Sequence, residues 1–367
     1  MRPYERPLPG PFAFPRRSAT IAVVHMRILM LTPSFHPAIG GVETHVRRVS
    51  EQLAARGHQV EIVTHADDPS EEQLGPLRVY RLPRQGWWRA WQSTRPHLAA
   101  ADIVHCHDAY SYLHFYVPSW VLPPRRPVFM TFHGYESFPI PTEAIRRRRF
   151  VRGRVRDALC AGDFICRWYG TRCFGVTYGG TDPVSDPPPL PASPAAVFVG
   201  RLAEDTSLLV YLDALATLRQ DYERTLPLTV IGDGPLRPVA ERFAQAQRLA
   251  VRFLGTVADP REHYARASIA FVSGYLAIWQ ALAMRRLVFA VYENELKRDY
   301  LLGFPEAERV LSVSPDAASL GDALLAHLEE PTMGEEQRQQ GATLAAAHTW
   351  DRVADLYLDM YRAHGMS

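Results

Sequence analysis

Residues 182–215 read "DPVSDPPPLPASPAAVFVGRLAEDTSLLVYLDAL". The first part, "DPVSDPPPLPASP", is too rich in proline to be a core element and makes a stiff, extended connection. "AAVFVG" is a short, unbroken apolar run, as expected of a strand covered on both faces. Gly200 turns the chain, and "LLVYLDAL" continues as a helix. Arg201 sits at that turn, where an anion is gripped at the start of a helix. A strand, a glycine turn and a helix, restarting after a proline-rich break, announce a second α/β domain.

The same alternation precedes the break. "RILMLT" (27–32) is a buried strand, and "ETHVRRVSEQLAARG" places Val46, Val49, Leu53 and Ala54 at helical spacing. Gly57 closes that helix, and "QVEIVTH" is the next strand. "ADIVHCH" (101–107) and "PVFMTFHG" (127–134) are strands that end in histidine-bearing tips. After the break come "LPLTVIGDG", "VRFLG", "SIAFVSG" and "RRLVFAVYE", with helical segments between them. The expected architecture is two doubly wound parallel sheets, each binding ligand at the carboxyl ends of its strands. The expected boundaries are 26–182 for the first domain, 183–194 for the linker and 195–345 for the second domain. Residues 346–367 follow it as a C-terminal segment. Residues 1–25 carry five prolines and no continuous apolar core, and read as a disordered extension or a misplaced start before "MRILMLT".

Composition narrows the function. The chain has 367 residues, 47% apolar and 22% charged, with a net charge of +2, too small by itself to argue for nucleic acid. No apolar run approaches the ~20 residues that span a bilayer. Cys106, Cys160, Cys166 and Cys173 form no C-x2-C pair, which argues against zinc and for a reducing cytoplasm. Lys297 is the single lysine of the chain.

Taken alone, each motif has two readings. Gly40 and Gly41, between the first strand and its helix, are a plain glycine turn or an anion cradle. His105, His107 and His133 are hydrogen-bonded structural histidines, or they accept from a sugar hydroxyl or pass a proton near neutral pH. "VIGDGPL" (230–236) is a tight strand-to-helix turn or a backbone platform for a ring or phosphate.

In order, "GGVETHV", "HCH", "TFHG", "YGGTD", "VGRL", "VIGDGPL", "FLGTV" and "ALAMRRLVFAV" resemble glycosyltransferase family 4 from Met26 to the end of the chain. The resemblance implies the GT-B fold: two Rossmann-like domains facing a cleft, with "HTWDRVADLYLDMYRAHG" as the helix that crosses back to the first. It implies a transferase that moves a sugar from a nucleoside-diphosphate sugar to an acceptor hydroxyl with retained configuration, in glycan, glycolipid or polysaccharide synthesis. His133 and Arg201 take the catalytic roles. Gly40, Gly41, Arg201, Gly232, Asp233, Gly234, Pro235, Gly274, Tyr275 and Gln280 bind the donor. Glu43, His105 and His107 are candidate sugar or acceptor contacts. Fixed cations and N–H dipoles stabilise the leaving diphosphate, so neither a cofactor nor a metal is called for.

The chain also departs from the family pattern. Thr206 and Ser207 stand where the family has lysine then glycine. Gln280 replaces the second glutamate of a Glu-x7-Glu pair, and the first has no counterpart. Lys297, a candidate donor contact, and Arg298 are positioned to supply the missing charge, or are solvated helix residues. A divergent enzyme and a catalytically weakened protein that binds a sugar nucleotide or a partner both fit these changes. Finally, Arg146, Arg147, Arg148, Arg149, Arg152, Arg154 and Arg156 crowd one stretch, "RRRRFVRGRVRDAL". Phe150, Val151, Val155, Ala158 and Leu159 share a helical stripe there. The stretch is a solvated helix, or a basic face for anionic lipid on the inner surface of the membrane. The latter would make a cytoplasmic protein peripheral.

Overall fold

The computed structural model describes residues 25–366, so all but His25 of the 1–25 segment lies outside the described residues. The first sheet is built from β1 (Arg27–Leu31), β2 (Gln59–Ala66), β3 (Ser70–Leu74), β4 (Leu77–Pro83), β5 (Ile103–His107), β6 (Val128–Phe132), β7 (Asp157–Ala161) and β8 (Gly175–Thr177). Its order is β3-β4-β2-β1-β5-β6-β7-β8, and only the β3–β4 pair is antiparallel. The second is built from β9 (Ala196–Val199), β10 (Leu228–Ile231), β11 (Val251–Gly255), β12 (Ile269–Val272), β13 (Leu287–Val291) and β14 (Leu311–Ser314). It is parallel throughout, in the order β11-β10-β9-β12-β13-β14.

Both sheets are doubly wound. β1 lies between β2 and β5, and β9 lies between β10 and β12. The chain reverses its direction of travel across the sheet at these strands, which opens a crevice at their carboxyl ends. β5, β6 and β13 are buried along their whole length, because helices cover both faces. Residues 182–195 form no helix or strand between the two sheets.

The C-terminal helix, Trp350–Ala363, returns to the first sheet. Trp350, Val353, Ala354, Tyr357, Leu358 and Tyr361 recur at helical spacing and are buried. They pack with Ile28, Met30, Val46, Val49 and Phe129 of the first domain. The Thr349 side chain caps the helix by accepting from the Arg352 N–H. Two hydroxyls on this helix enter a buried polar chain. Tyr361 Oη lies 2.7 Å from His105 Nδ1, and His105 Nε2 lies 2.8 Å from Thr131 Oγ1. Thr131 Oγ1 meets Tyr357 Oη at 2.7 Å, and Tyr357 Oη meets His45 Nε2 at 2.9 Å.

Two readings need correction. The arginine-rich helix runs only from Thr142 to Arg152, because Gly153 ends it. Ala158 and Leu159 therefore belong to strand β7, not to a helical stripe. Cys160 and Cys173, scattered in sequence, are joined in a disulfide where β7 meets the approach to β8. Cysteine spacing therefore carries no argument about compartment.

Tyr357→Phe should destabilise the protein by about 1–3 kcal/mol, because it leaves His45 Nε2 and one bond of Thr131 unpaired in a buried site. Denaturant unfolding checks this, and an unchanged midpoint would mean that the polar chain adds nothing to stability.

Candidate active site

The second-domain wall is set by a backbone crossing. The turn after β10 passes over the turn after β9, and Gly200 N–H donates to the Ile231 carbonyl at 3.0 Å. Leu202 N–H donates to the Asp233 carbonyl, and Leu236 N–H to the Leu202 carbonyl, both at 2.9 Å. A Cβ on Gly232 would collide with the Gly200 carbonyl oxygen, and the glycine also has φ +131°. A Cβ on Gly234 would collide with the Leu202 carbonyl. These glycines thus hold the Arg201 turn in place, whatever else the loop touches. The Asp233 carboxylate is spent locally, on the Gly234 N–H and Arg237, and Pro235 lies exposed beside it.

Arg201 extends from that turn with its side chain 68% exposed, paired to Asp205 at 2.7 Å. Thr206 caps its own turn by donating to the Ala203 carbonyl. Ser207 takes a left-handed conformation at φ +54° and donates to Glu293 Oε2 at 2.6 Å. Glu293 follows β13 at its carboxyl end. Lys297, on the helix Glu295–Leu302, is buried rather than solvated. Its Nζ donates to the Ser273 carbonyl at 2.5 Å and lies 4.7 Å from the centre of the Tyr300 ring. Burial lowers its pKa to about 8; Asp205 and Glu293 oppose the shift and Arg201 adds to it. Gly274 precedes the helix Tyr275–Ala283, whose first N–H donates to Tyr300 Oη. The Tyr275 ring stacks on Tyr300 at 4.1 Å. Gln280 sits half-buried on the same helix.

The first-domain wall faces this cluster. Tyr135, just beyond β6, has its pKa raised to about 12 by burial, and it feels the charges of Asp205, Arg201 and Glu293. Gly40 and Gly41 open the helix Gly41–Ala55. The Glu43 carboxylate folds over Gly40 so closely that a Cβ there would clash, whereas Gly41 borders open space.

His133 follows β6 and keeps 8% of its surface exposed. Its Nε2 lies 3.0 Å from His107 Nδ1, its N–H donates to Asp108 Oδ1, and its ring meets His45 edge-on at 5.0 Å. Burial, and then the nearby Arg148, lower its pKa to about 3. It is neutral at physiological pH, so proton transfer near neutrality does not suit it. His105 is fully buried with both ring nitrogens bonded, and does not reach a ligand. His107 is fully buried as well and touches the cleft only through His133.

The His107–His133 pair has a preferred protonation. His107 Nε2 is buried and has no partner among the described residues. A buried N–H without an acceptor costs more than a bare lone pair. The His107 proton therefore sits on Nδ1 and is donated to His133 Nε2. His133 then carries its own proton on Nδ1, the nitrogen left for a ligand, and acts as a donor.

The arginine run is largely committed to the fold. Arg148 is buried, donates to the carbonyls of His133 and Gly134 at 3.1 Å, and stacks 4.0 Å over Tyr169. It holds the loop that carries His133, which corrects its reading as a lipid contact. Arg149 donates to the Tyr169 carbonyl, and Arg152 pairs with Asp157. Arg147 lies 3.5 Å from Glu136. Among the described residues one group has metal-ligand proximity, the sulfurs of Cys160, Cys166 and Cys173, but two of the three are joined to each other.

Two facing parallel-sheet domains, a cleft at their switch points and a helix crossing back define a GT-B glycosyltransferase. The chain belongs to glycosyltransferase family 4: residues 39–169 match the family model "Glycosyltransferase Family 4" and residues 193–330 match "Glycosyl transferases group 1". The phosphatidyl-myo-inositol mannosyltransferase of Mycobacterium leprae is 25% identical over 373 residues, 92% of this chain and 96% of that protein. Sucrose-phosphate synthase from Thermosynechococcus elongatus shares the fold with a TM-score of 0.72 and 18% identity, over 92% of this chain and 99% of that one. Alr3699/HepE from Anabaena, solved in complex with UDP, has a TM-score of 0.72 and 14% identity, over 92% and 100%.

Nitrogen-15 NMR of labelled histidine reads the proton positions directly. At pH 7 both His107 and His133 should be neutral and protonated on Nδ1. A His133 ring protonated on Nε2 would reverse the assignment and make it an acceptor toward the cleft.

Proposed function

We propose that this protein transfers a hexosyl group from a nucleoside-diphosphate sugar to an acceptor hydroxyl, with retention of configuration at the anomeric carbon. The observation that carries this reading is the charged cluster at the carboxyl ends of the second sheet, where exposed Arg201, paired to Asp205, and buried Lys297 lie within reach of each other's charge. Asp205 is the present partner of Arg201, and a more highly charged anion entering the cleft would take its place between the two cations. A diphosphate supplies that charge. Lys297 thus replaces from another helix the charge that Thr206 lacks.

In the reaction, the bond between the anomeric carbon and the diphosphate oxygen breaks with the electron pair leaving on that oxygen, the acceptor hydroxyl oxygen bonds to the anomeric carbon on the same face, and the acceptor's proton passes to the departing diphosphate. Arg201, Lys297 and the N–H groups at Gly40 and Gly41 stabilise the charge as it develops. The His133 Nδ1–H group donates to a hydroxyl of the sugar and orients it. The donor nucleotide lies along the second domain, past Gly232, Gly234 and Gly274. The complex of Alr3699/HepE with UDP supports a nucleotide in this kind of fold. The Mycobacterium leprae relative acts, by its name, on phosphatidyl-myo-inositol with mannose. Likeness over nearly the whole chain supports mannose as the first sugar to try and a lipid-linked polyol as the first acceptor.

Calorimetry with free nucleoside diphosphates tests the site before the acceptor is known. Arg201→Ala and Lys297→Met should each weaken binding roughly ten- to a hundredfold, the value of about 1.5–3 kcal/mol for a charged hydrogen bond. Binding of the unsubstituted protein should hold up to about pH 8 and weaken above it, as Lys297 loses its proton. In Lys297→Met that decline should vanish. Unchanged affinity in both variants would overturn the reading. Once a donor is found, NMR of the product should show the donor's anomeric configuration, and an inverted product would refute retention.

A further inference from the structure

The first domain also carries an exposed apolar patch. Trp87 and Trp88 begin the helix Trp87–Ala100, and both are exposed. Their rings lead inward to Trp91, whose Nε1 donates to Ser119 at 2.8 Å. Ser119 is followed by Trp120, Val121 and Leu122, all exposed, with Val121 72% exposed. The Trp120 ring then meets exposed Phe150 at 5.6 Å. Three separate segments thus bring exposed tryptophan, aliphatic and phenylalanine side chains to one region, with buried Trp91 and Ser119 linking them beneath the surface. Large apolar groups gathered this way mark an interaction site.

The charge on the same segments identifies the partner. Residues 86–100, 112–127 and 144–156 contain eleven arginines and not one aspartate or glutamate, and beyond Arg148, Arg149 and Arg152, which the fold uses, eight remain. The whole chain is nearly balanced, with 41 basic and 39 acidic residues. The arginines are built into the patch. Arg154 lies 3.5 Å over the Phe150 ring and 4.3 Å over the Trp120 ring. Arg95 donates to the Pro123 carbonyl, and Arg125 to the Val121 carbonyl. Tryptophan at an apolar surface ringed by arginine suits the headgroup layer of a bilayer, where the rings enter the boundary and the guanidinium groups meet lipid phosphates. No helix among the described residues is long and apolar enough to cross a membrane.

We propose that this face docks the protein on an anionic phospholipid surface. The anchor is the Trp87–Trp88 and Trp120–Val121–Leu122 patch, and the exposed arginines against it, Arg95, Arg125 and Arg154 among them, supply the attraction. The inference is independent of the donor site, since it requires no nucleotide and no transfer.

Co-sedimentation of the full chain with phosphatidylcholine vesicles, plain or mixed with phosphatidylglycerol, tests it. The protein should pellet with the mixed vesicles, release in high salt and show a blue shift of tryptophan emission when bound. The Val121→Asp, Leu122→Asp double variant should partition at least about tenfold less, since it sets charge where the apolar anchor enters the boundary. Both positions are exposed, so its melting temperature should match the parent's. Equal pelleting of parent and variant overturns the proposal, and so does a parent that does not pellet with the anionic vesicles. A parent that instead forms dimers abolished by the same variant would assign the face to a second copy of this chain.

Discussion

No side chain fits between Gly232 and the carbonyl oxygen of Gly200. The crossing of two turns at this point fixes the second-domain wall of the cleft. It fixes the course of residues 200–202, and Arg201 therefore projects from a rigid base. Downstream of that base, Ser207 adopts the left-handed conformation that lets it reach Glu293. Glu293 and Asp205 in turn temper the field around Lys297. One steric exclusion between backbones thus governs where Arg201 can be.

The fold was legible because its cause is local and periodic. Apolar runs such as "RILMLT" and "AAVFVG" alternate with helical stripes, and the parallel sheets follow from that alternation. Edge elements such as β3, whose residues are mostly exposed, leave no comparable pattern. At the site, sequence reasoning located Arg201, His133, Gly232 and Gly234 in the cleft region, though the two glycines turn out to act first on the backbone beside them. It missed Glu293, Asp205, Tyr135 and Asp108. Glu293 had a discernible trace, since "YENE" directly follows a buried strand. Tyr135 likewise follows the "TFHG" tip. Arg148 had none: within a run of arginines, nothing local separates the one that is buried from those that are exposed.

The departures from the family pattern also change meaning once side chains are in place. A lysine absent from position 206 is a loss only if charge must come from that turn. Charge acts through space, and the helix Glu295–Leu302 brings Lys297 into the fields of the same acidic groups, Asp205 and Glu293. Placement on that helix has a physical cost, however. A buried ammonium titrates closer to neutrality than an exposed one, so the charge of Lys297 is sensitive to alkaline pH.

The return of the C-terminal helix has a consequence for how the chain is made. Tyr357 and Tyr361 supply hydroxyls to a polar chain that involves Thr131 and His105 in the first domain. During synthesis the strands of that domain emerge long before those hydroxyls. Until they arrive, His105 and Thr131 must be hydrated or left unpaired, and the apolar floor beneath them stays uncovered. The N-terminal domain is therefore the first to begin folding on the ribosome and the last to finish. An open, sticky surface persists for as long as the second domain is being translated, and that interval is when a chaperone would matter most to this chain.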